Sequence, residues 1–508
     1  MSSKKFVSRL FNKSLDYIEI IGNKLPHPAT LFGILALLVV VVSWLGDLLA
    51  WQAIHPADKS TVLVKSLVDG DGIRWIYTNI THNFVNFPPL GYVLAVMIGI
   101  GVAEGSGLFT AMIRSLVLNA PKKLITGTIV FAGIISHLAS EAGYVILIPL
   151  GALIFHTLGR HPMAGLAAAF SGVSGGFGAN FLIGSVDPIL AGLSQSAAQI
   201  IDPNITINAA VNFYFMFVSA ILIVVLGTWI TEKIVEPRLK TYNGNAEKIP
   251  IEETTALEKK GLKWAGISLI IIIALLALTV IPENGLFRNS KTGEILHSPF
   301  FDGIITGILV FFLVPGLVYG IVVKSIKNDK DLMKHIIKSM STMATYIVLV
   351  FFAAQFVYFF RYSNLGLIFA IQGAEFLKNI GLTGVPLIVM FVLLAAFINM
   401  FMGSASAKWA IMAPVFIPMF MLLGYHPALT QAAFRIGDSV TNLITPMMSY
   451  FALIVAFAQK YNEKYGIGTI ISTMIPYTII FTIFWTLLLV IWMWLGLPTG
   501  PDGPLFLR

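Results

Sequence analysis

Two charged residues three positions apart stand inside an otherwise apolar run: Arg435 and Asp438, in Phe434-Arg-Ile-Gly-Asp438-Ser-Val-Thr-Asn442-Leu-Ile-Thr-Pro446. That spacing puts both on one face of a helix. A charge at mid-membrane costs about 2.5–3.5 kcal/mol on insertion scales, so such residues are kept where they meet a partner or a ligand. An internal Arg435–Asp438 ion pair holding the fold is one outcome. A binding site is the other. Asn442 and Pro446 would break the helix and free oxygen ligands beside the carboxylate. Arg435 would then clamp a substrate carboxylate through two parallel hydrogen bonds. Asp438 and Asn399, with freed carbonyls, would hold a monovalent cation such as Na⁺, or Asp438 would carry a proton; the residue types fit Na⁺ and H⁺ equally.

A second unusual segment precedes it, Asn399-Met-Phe-Met-Gly-Ser404-Ala-Ser406-Ala-Lys408-Trp409, followed by Pro414 and Pro418. Small residues let two hairpin arms pack closely, and the serines and loose backbone leave carbonyls for a cation. A plain packing interface is the alternative for Ser404. Lys408 is expected to snorkel from a hairpin tip to water. In the first half, Ser171-Gly-Val-Ser174-Gly-Gly-Phe-Gly-Ala-Asn180 and Asp187-Pro188 mirror Asn442 and Pro446. A half-helix N-terminus near Asp187 would favour an anionic group. Glu141 is expected to reach the interface from a hairpin tip, and Glu104 to serve helix packing or line a water pocket. The histidines show no metal spacing. Walker A, dinucleotide and nucleophile-elbow motifs are missing in suitable contexts, which argues against ATP-driven transport and hydrolytic chemistry; no catalytic residue is assigned.

The elements that must position these residues are apolar. Of 508 residues, 57% are hydrophobic and 11% charged, with a mean hydropathy of +0.84. Soluble domains carry about a quarter charged residues, so a soluble enzyme, a disordered scaffold and a nucleic-acid reader are excluded. The net charge of +8 sits in short loops and acts as a topology signal. Zero cysteines remove disulfides and thiolate chemistry.

Eleven apolar runs predict an all-α membrane protein: Ala29–Trp51, Pro89–Leu118, Leu124–Ile135, Ala164–Leu190, Ala209–Ile230, Trp264–Ile281, Phe301–Val323, Ala344–Phe360, Val385–Phe397, Ala428–Phe457 and Ile470–Leu495. A basic tail over 1–28 (Lys4, Lys5, Arg9, Lys13, Lys24) is expected in the cytoplasm, a single membrane domain over 29–496, and a tail over 497–508. Gln52–Asn86 is expected to be a polar loop. The loops carrying Lys233 and Lys324 are expected in the cytoplasm.

Full crossing by every run contradicts those loop charges. Parity fails in two similar stretches, about 124–190 and 385–455, each a short apolar segment, a Gly/Ser-rich stretch, another apolar segment and a helix interrupted by small residues and proline. Re-entrant hairpins and broken helices produce such a miscount. The stretches share Gly159-Arg-His-Pro162 and Gly424-Tyr-His-Pro427, each followed by an alanine-rich run. Matching interrupted segments in two halves point to the substrate site of an inverted-repeat secondary transporter. That site is expected to be a polar, solvent-reachable chamber joining Asn399, Arg435 and Asp438 to the Asn180–Asp187 region.

These residues resemble the AbgT family of p-aminobenzoyl-glutamate transporters along nearly the whole chain. The resemblance is carried by Ile21-Gly-Asn-Lys-Leu-Pro-His-Pro28, Ser136-His137 with Glu141, Gly159-Arg-His-Pro162-Met-Ala-Gly165 and Ile234-Val-Glu-Pro-Arg-Leu239. It continues through Ser404-Ala-Ser-Ala-Lys-Trp409, Ala413 to Gly424, His426-Pro427 and Phe434-Arg-Ile-Gly-Asp438. The resemblance implies a homodimer in the bacterial inner (cytoplasmic) membrane, with nine membrane-spanning helices and two re-entrant hairpins per protomer. It implies ion-driven import of p-aminobenzoyl-glutamate, or export of p-aminobenzoate and sulfonamide-type antimetabolites. Matching positions place the family's substrate and ion residues at Asp187, Asn399, Ser406, Trp409, Pro427, Arg435, Asp438 and Pro446. Trp409 would stack on a benzoyl ring and Arg435 match its carboxylate. A passive anion channel and a two-hairpin dicarboxylate or citrate carrier are the competing functions; no cofactor beyond the coupling ion is expected.

Overall fold

The computed structural model describes residues 26–56, 59–139, 143–244, 254–295 and 298–507. The basic residues of the N-terminal tail and Glu141 lie outside them. Eight helices among the described residues are long and apolar enough to cross a membrane: Pro28–Leu48, Gly70–Gly105, Phe213–Leu239, Ala256–Val280, Ile304–Val322, Ala344–Tyr362, Ala405–Leu422 and Ile467–Trp494. Shorter apolar helices cover Leu108–Leu118, Gly143–Thr157 and Gly384–Asn399. Ile270, Ile271, Leu275 and Leu278 stand exposed on Ala256–Val280, the surface that lipid chains would cover.

Three segments differ from the sequence expectation. Gln52–Asn86 is no simple loop: Gln52–Ile54 pairs antiparallel with Thr61–Leu63, and Gly70–Val85 is helical, with the Asp69 carboxylate accepting the Gly72 N–H at 2.6 Å. This N-cap overrides the low hydropathy of the segment. In the basic loop, Asp329–Thr342 forms an amphipathic helix capped by Asn328. A further helix, Leu365–Asn379, follows Ala344–Tyr362.

The two interrupted stretches have the same element order. In the first, Ile125–Ile135 and Ile148–Thr157 are followed by Pro162–Phe170, a π-turn at Ser171–Gly175, an irregular segment and Val186–Ala198. In the second, Gly384–Asn399 and Ala405–Leu422 are followed by Pro427–Val440, a run of turns and Phe451–Gln459. Their shared G-x-H-P is a helix stop followed by a helix start. Gly159 (φ 73°) and Gly424 (φ 91°) take the left-handed conformation open to glycine. Behind them, the Arg160 N–H donates to the Phe155 carbonyl at 2.8 Å and the Tyr425 N–H to the Phe420 carbonyl at 3.0 Å, closing each finished helix. Next, His161 Nδ1 accepts the Met163 N–H and His426 Nδ1 the Ala428 N–H, both at 3.2 Å, with proline in the first turn of each new helix. His27 and Pro28 start the first helix likewise.

Close backbone approach seats Pro427–Val440 against the first half and against its own half. A Cβ on Gly178 would stand 2.6 Å from the Arg435 carbonyl oxygen, and one on Gly437 would stand 2.4 Å from the Val392 carbonyl oxygen. Pro427–Val440 therefore lies between the first-half break and Gly384–Asn399, with every residue buried. Residues 498–507 fold back onto its start. The Leu505 carbonyl accepts the His426 N–H, and the Gly424 carbonyl accepts the Leu507 N–H, both at 2.9 Å.

Candidate functional site

Pro427–Val440 carries two buried charges, each paired with a residue from another element. Arg435 donates through Nη2 to Asp187 Oδ1 at 2.6 Å. Asp187 sits in the first turn of Val186–Ala198, and its second oxygen accepts the Gly184 N–H at 2.6 Å. One turn further, Asp438 Oδ1 lies 2.6 Å from Lys408 Nζ. Lys408 stands in the first turn of Ala405–Leu422 and is 1% exposed.

Asn399, at the end of its helix, organises the Lys408 end. Its Nδ2 donates to the Asp438 carbonyl at 2.7 Å and to Thr441 Oγ1 and Asn442 Oδ1 at 2.9 Å. These acceptors turn Asn399 Oδ1 the other way, where it accepts from Lys408 Nζ. The Met402 carbonyl, in the gap between the helices, accepts from the same Nζ at 3.3 Å.

A buried amide relay runs from the Arg435 end to Trp409. Asn212 Oδ1 accepts Arg435 Nε at 3.3 Å and Gln431 Nε2 at 2.8 Å. Gln431 Oε1 accepts the Ser194 hydroxyl at 2.6 Å, and Ser194 accepts the Trp409 indole N–H at 3.0 Å. Asn212 Nδ2 donates to the Ala428 carbonyl at 2.8 Å and to Thr499 Oγ1 at 3.2 Å, tying the C-terminal segment to the site.

A model of the AbgT putative transporter family matches residues 13–507. The chain belongs to the AbgT family. The p-aminobenzoyl-glutamate transport protein of Escherichia coli K12 is 40% identical over 489 residues, 96% of each chain. The crystal structure of the Alcanivorax borkumensis YdaH transporter superposes with a TM-score of 0.90 at 45% identity, covering 94% of this chain and all of that one. Neisseria gonorrhoeae MtrF, described as illuminating a class of antimetabolite efflux pumps, gives 0.91 at 47%, covering 96% and all of it. The AbgT-family chain is thus a multi-pass membrane transporter and not an enzyme.

In this AbgT-family transporter, Asp187, Asn399, Trp409, Arg435, Asp438 and Asn442 come together across both halves. Pro427 opens the helix that carries both charges, and Ser406 lies half-buried beside Ser404 two residues before Lys408. Pro446 is half-buried within the turns after Val440. Asn180 is buried in the first-half break, where its Oδ1 accepts the Phe181 N–H at 2.9 Å; a Cβ on Gly184 would stand 3.5 Å from Asn180 Nδ2 and 3.9 Å from Asp187 Oδ2, so Asn180 flanks the Asp187 end of the site. Glu104 is exposed on Pro88–Gly105.

Three expectations change, and one of the two outcomes open for Arg435 and Asp438 falls away. Lys408 does not snorkel to water; a carboxylate within reach of its stem outcompetes the interface. Arg435 and Asp438 do not pair with each other, because each has a nearer partner on a packed neighbouring helix. Trp409 offers no free face for a benzoyl ring in this conformation: it is fully buried, with Phe434 at 4.4 Å between ring centroids. The polar chamber is filled rather than open: Arg435, Asp438 and Asn399 are all at most 3% exposed, Arg435 and Asn399 are hydrogen-bonded to protein groups, and Asp438 faces the Lys408 ammonium as an ion pair. The hollow beside it, about 250 Å³, is lined by Pro188, Ala191 and Gln195 of the helix that gives Asp187 and Ser194 to the site.

Asn212, Gln431 and Ser194 are site residues that sequence reasoning passed over, and Lys408 is one it had turned toward water. Gln431 lies four residues before Arg435, so its face was readable. Asn212 and Ser194 had no such signal.

Proposed function

We propose that the protein is an ion-coupled secondary transporter of small aromatic carboxylates: p-aminobenzoyl-glutamate, p-aminobenzoate or sulfonamide-type antimetabolites. One observation carries this. Arg435 and Asp438, a turn apart on one buried helix between two backbone breaks, are each held by an oppositely charged side chain on a separate element. Parting the first pair bares a guanidinium that fits a carboxylate in two parallel hydrogen bonds. Parting the second bares a carboxylate that must acquire Na⁺ or H⁺, since an unpaired buried charge is too costly to leave.

The two helix–turn–helix units are read as re-entrant hairpins. Ile125–Ile135, with 11 residues, spans about 16 Å at 1.5 Å per residue, half of a hydrocarbon core. The same proposal takes the protein as a homodimer in the bacterial inner membrane, surrounded by lipid.

Sealed proteoliposomes test the reading. Uptake of radiolabelled p-aminobenzoyl-glutamate or a sulfonamide against its own gradient, driven by an imposed Na⁺ or proton gradient, is the expected result. Flux that only runs downhill would make the protein a passive anion channel. Competition by citrate or succinate, but not by p-aminobenzoate, would make it a dicarboxylate carrier.

A further inference from the structure

We propose that Lys408 is a tethered counter-cation: its ammonium fills the coupling-ion position at Asn399 and Asp438 in this closed conformation, and a transported monovalent cation is its alternative occupant. The proposal rests on the ion-coupled reading above.

Three oxygens of three kinds converge on Lys408 Nζ: the Asp438 carboxylate, the Asn399 amide and the Met402 main-chain carbonyl. Carboxylate, amide and free carbonyl oxygens are the donor set of a hard monovalent cation, and broken helices are where transporters present them. The orientation of the Asn399 amide is fixed from behind by three acceptors, so its oxygen would face the position whether an ammonium or a metal ion stands there. Phe434 closes one side, 5.9 Å from Nζ to the ring centroid. Among the described residues Asp438 is the one carboxylate paired with Lys408, and Asp187 is engaged by Arg435, so the position carries one negative charge and calls for one positive occupant.

Stability alone does not account for the lysine. A buried ion pair roughly breaks even against well-packed apolar residues of the same volume. Lys408 does supply reach. Its flexible four-carbon stem starts one turn from the exposed Ser404 and two residues from the half-buried Ser406, so the ammonium can swing toward water without moving the helix. The consequence is a charge rule for the carrier. With Lys408 in place, Asp438 is neutralised and the site can close without substrate. With an external cation in place, Lys408 swings out and Asp438 is again neutralised. The state with neither occupant, a bare buried carboxylate, is the one forbidden.

Thermal unfolding of the purified full-length protein tests this without transport. Wild-type protein, Lys408→Ala and Lys408→Ala/Asp438→Asn are compared in N-methylglucamine, Na⁺ and ethylammonium chlorides at one ionic strength. Lys408→Ala is expected to show the largest saturable rise in Tm with Na⁺ or ethylammonium, because its anionic site is vacant, whereas the wild-type lysine competes for that site and the double variant lacks the charge. Should Lys408→Ala unfold in N-methylglucamine, recovery of its fold in ethylammonium or Na⁺ is the same positive result. Equal responses in all three proteins, or none in Lys408→Ala, overturn the proposal, as does a Lys408→Ala protein unfolded in every salt while Lys408→Met/Asp438→Asn folds. Gradient-driven uptake by the wild type separates the two ideas. Driven uptake with no cation response in Lys408→Ala sinks the tethered cation alone, whereas undriven uptake sinks the ion-coupled reading.

Discussion

Arg435 and Asp187 lie 248 positions apart in the chain and 2.6 Å apart in space, so the polar centre is assembled by both halves of the protein. Each residue is anchored a second time, Asp187 by the Gly184 N–H and Arg435 by Asn212. A pair so held is a latch between the halves as well as a candidate anion site.

Removing one member leaves the other charged and buried, at a cost of about 3–5 kcal/mol. Asp187→Asn and Arg435→Gln should each lower Tm and abolish uptake. The exchange Asp187→Arg/Arg435→Asp should recover much of the stability but not uptake, because the guanidinium then sits on the wrong helix. Unfolding curves alongside vesicle uptake check this; a transporting exchange variant would remove Arg435 from substrate recognition.

Asp438→Asn should abolish ion-driven uptake and also destabilise the protein, since Lys408 loses its carboxylate. Adding Lys408→Met should restore the lost stability by removing the stranded charge, with transport still absent. Gradient-driven uptake by Asp438→Asn at the wild-type rate would dismiss Asp438 as the coupling group.

Trp409 contributes both a ring and a hydrogen-bond donor. Trp409→Phe keeps most of the ring volume and strands Ser194, a loss of about 1 kcal/mol. Trp409→Ala opens a cavity in a core of fully buried side chains and should cost about 3–5 kcal/mol. In the Phe variant, half-saturation for aromatic substrates should weaken more than half-saturation for the coupling ion. Equal weakening of both would assign Trp409 to packing only.

His426 caps Pro427–Val440 with a neutral Nδ1, and burial holds its pKa down to about 4 from the usual 6.5. The folded state thus disfavours the proton, so this contribution is complete above about 6.5 and fades as pH falls toward 4. His426→Ala should cost about 1 kcal/mol of cap energy at pH 7, whereas His426→Asn keeps the acceptor and should flatten the loss of Tm below pH 6.5. Identical acid profiles for Asn and wild type would exclude the cap as the source.

The sequence by itself determined the class of molecule and the places where regular structure fails. Long apolar runs admit few architectures, because backbone polar groups in oil must bond internally. The G-x-H-P corners were legible as a repeat because glycine, histidine and proline each have a local backbone role. The polar stretch over 70–85 was misjudged since hydropathy outweighed the Asp69 cap. Arg435 and Asp438 announced themselves by cost: charges inside an apolar helix need partners. Which partners they found was decided only by the tertiary structure. Asp187 and Lys408 arrive from separate helices whose facing sides depend on packing, and close approach at Gly178 and Gly437 brings them within bonding range. A lysine stem can turn to water or to a carboxylate with equal ease, and no local pattern chooses between them. The choice fell to the position of Asp438 and Asn399 in three dimensions.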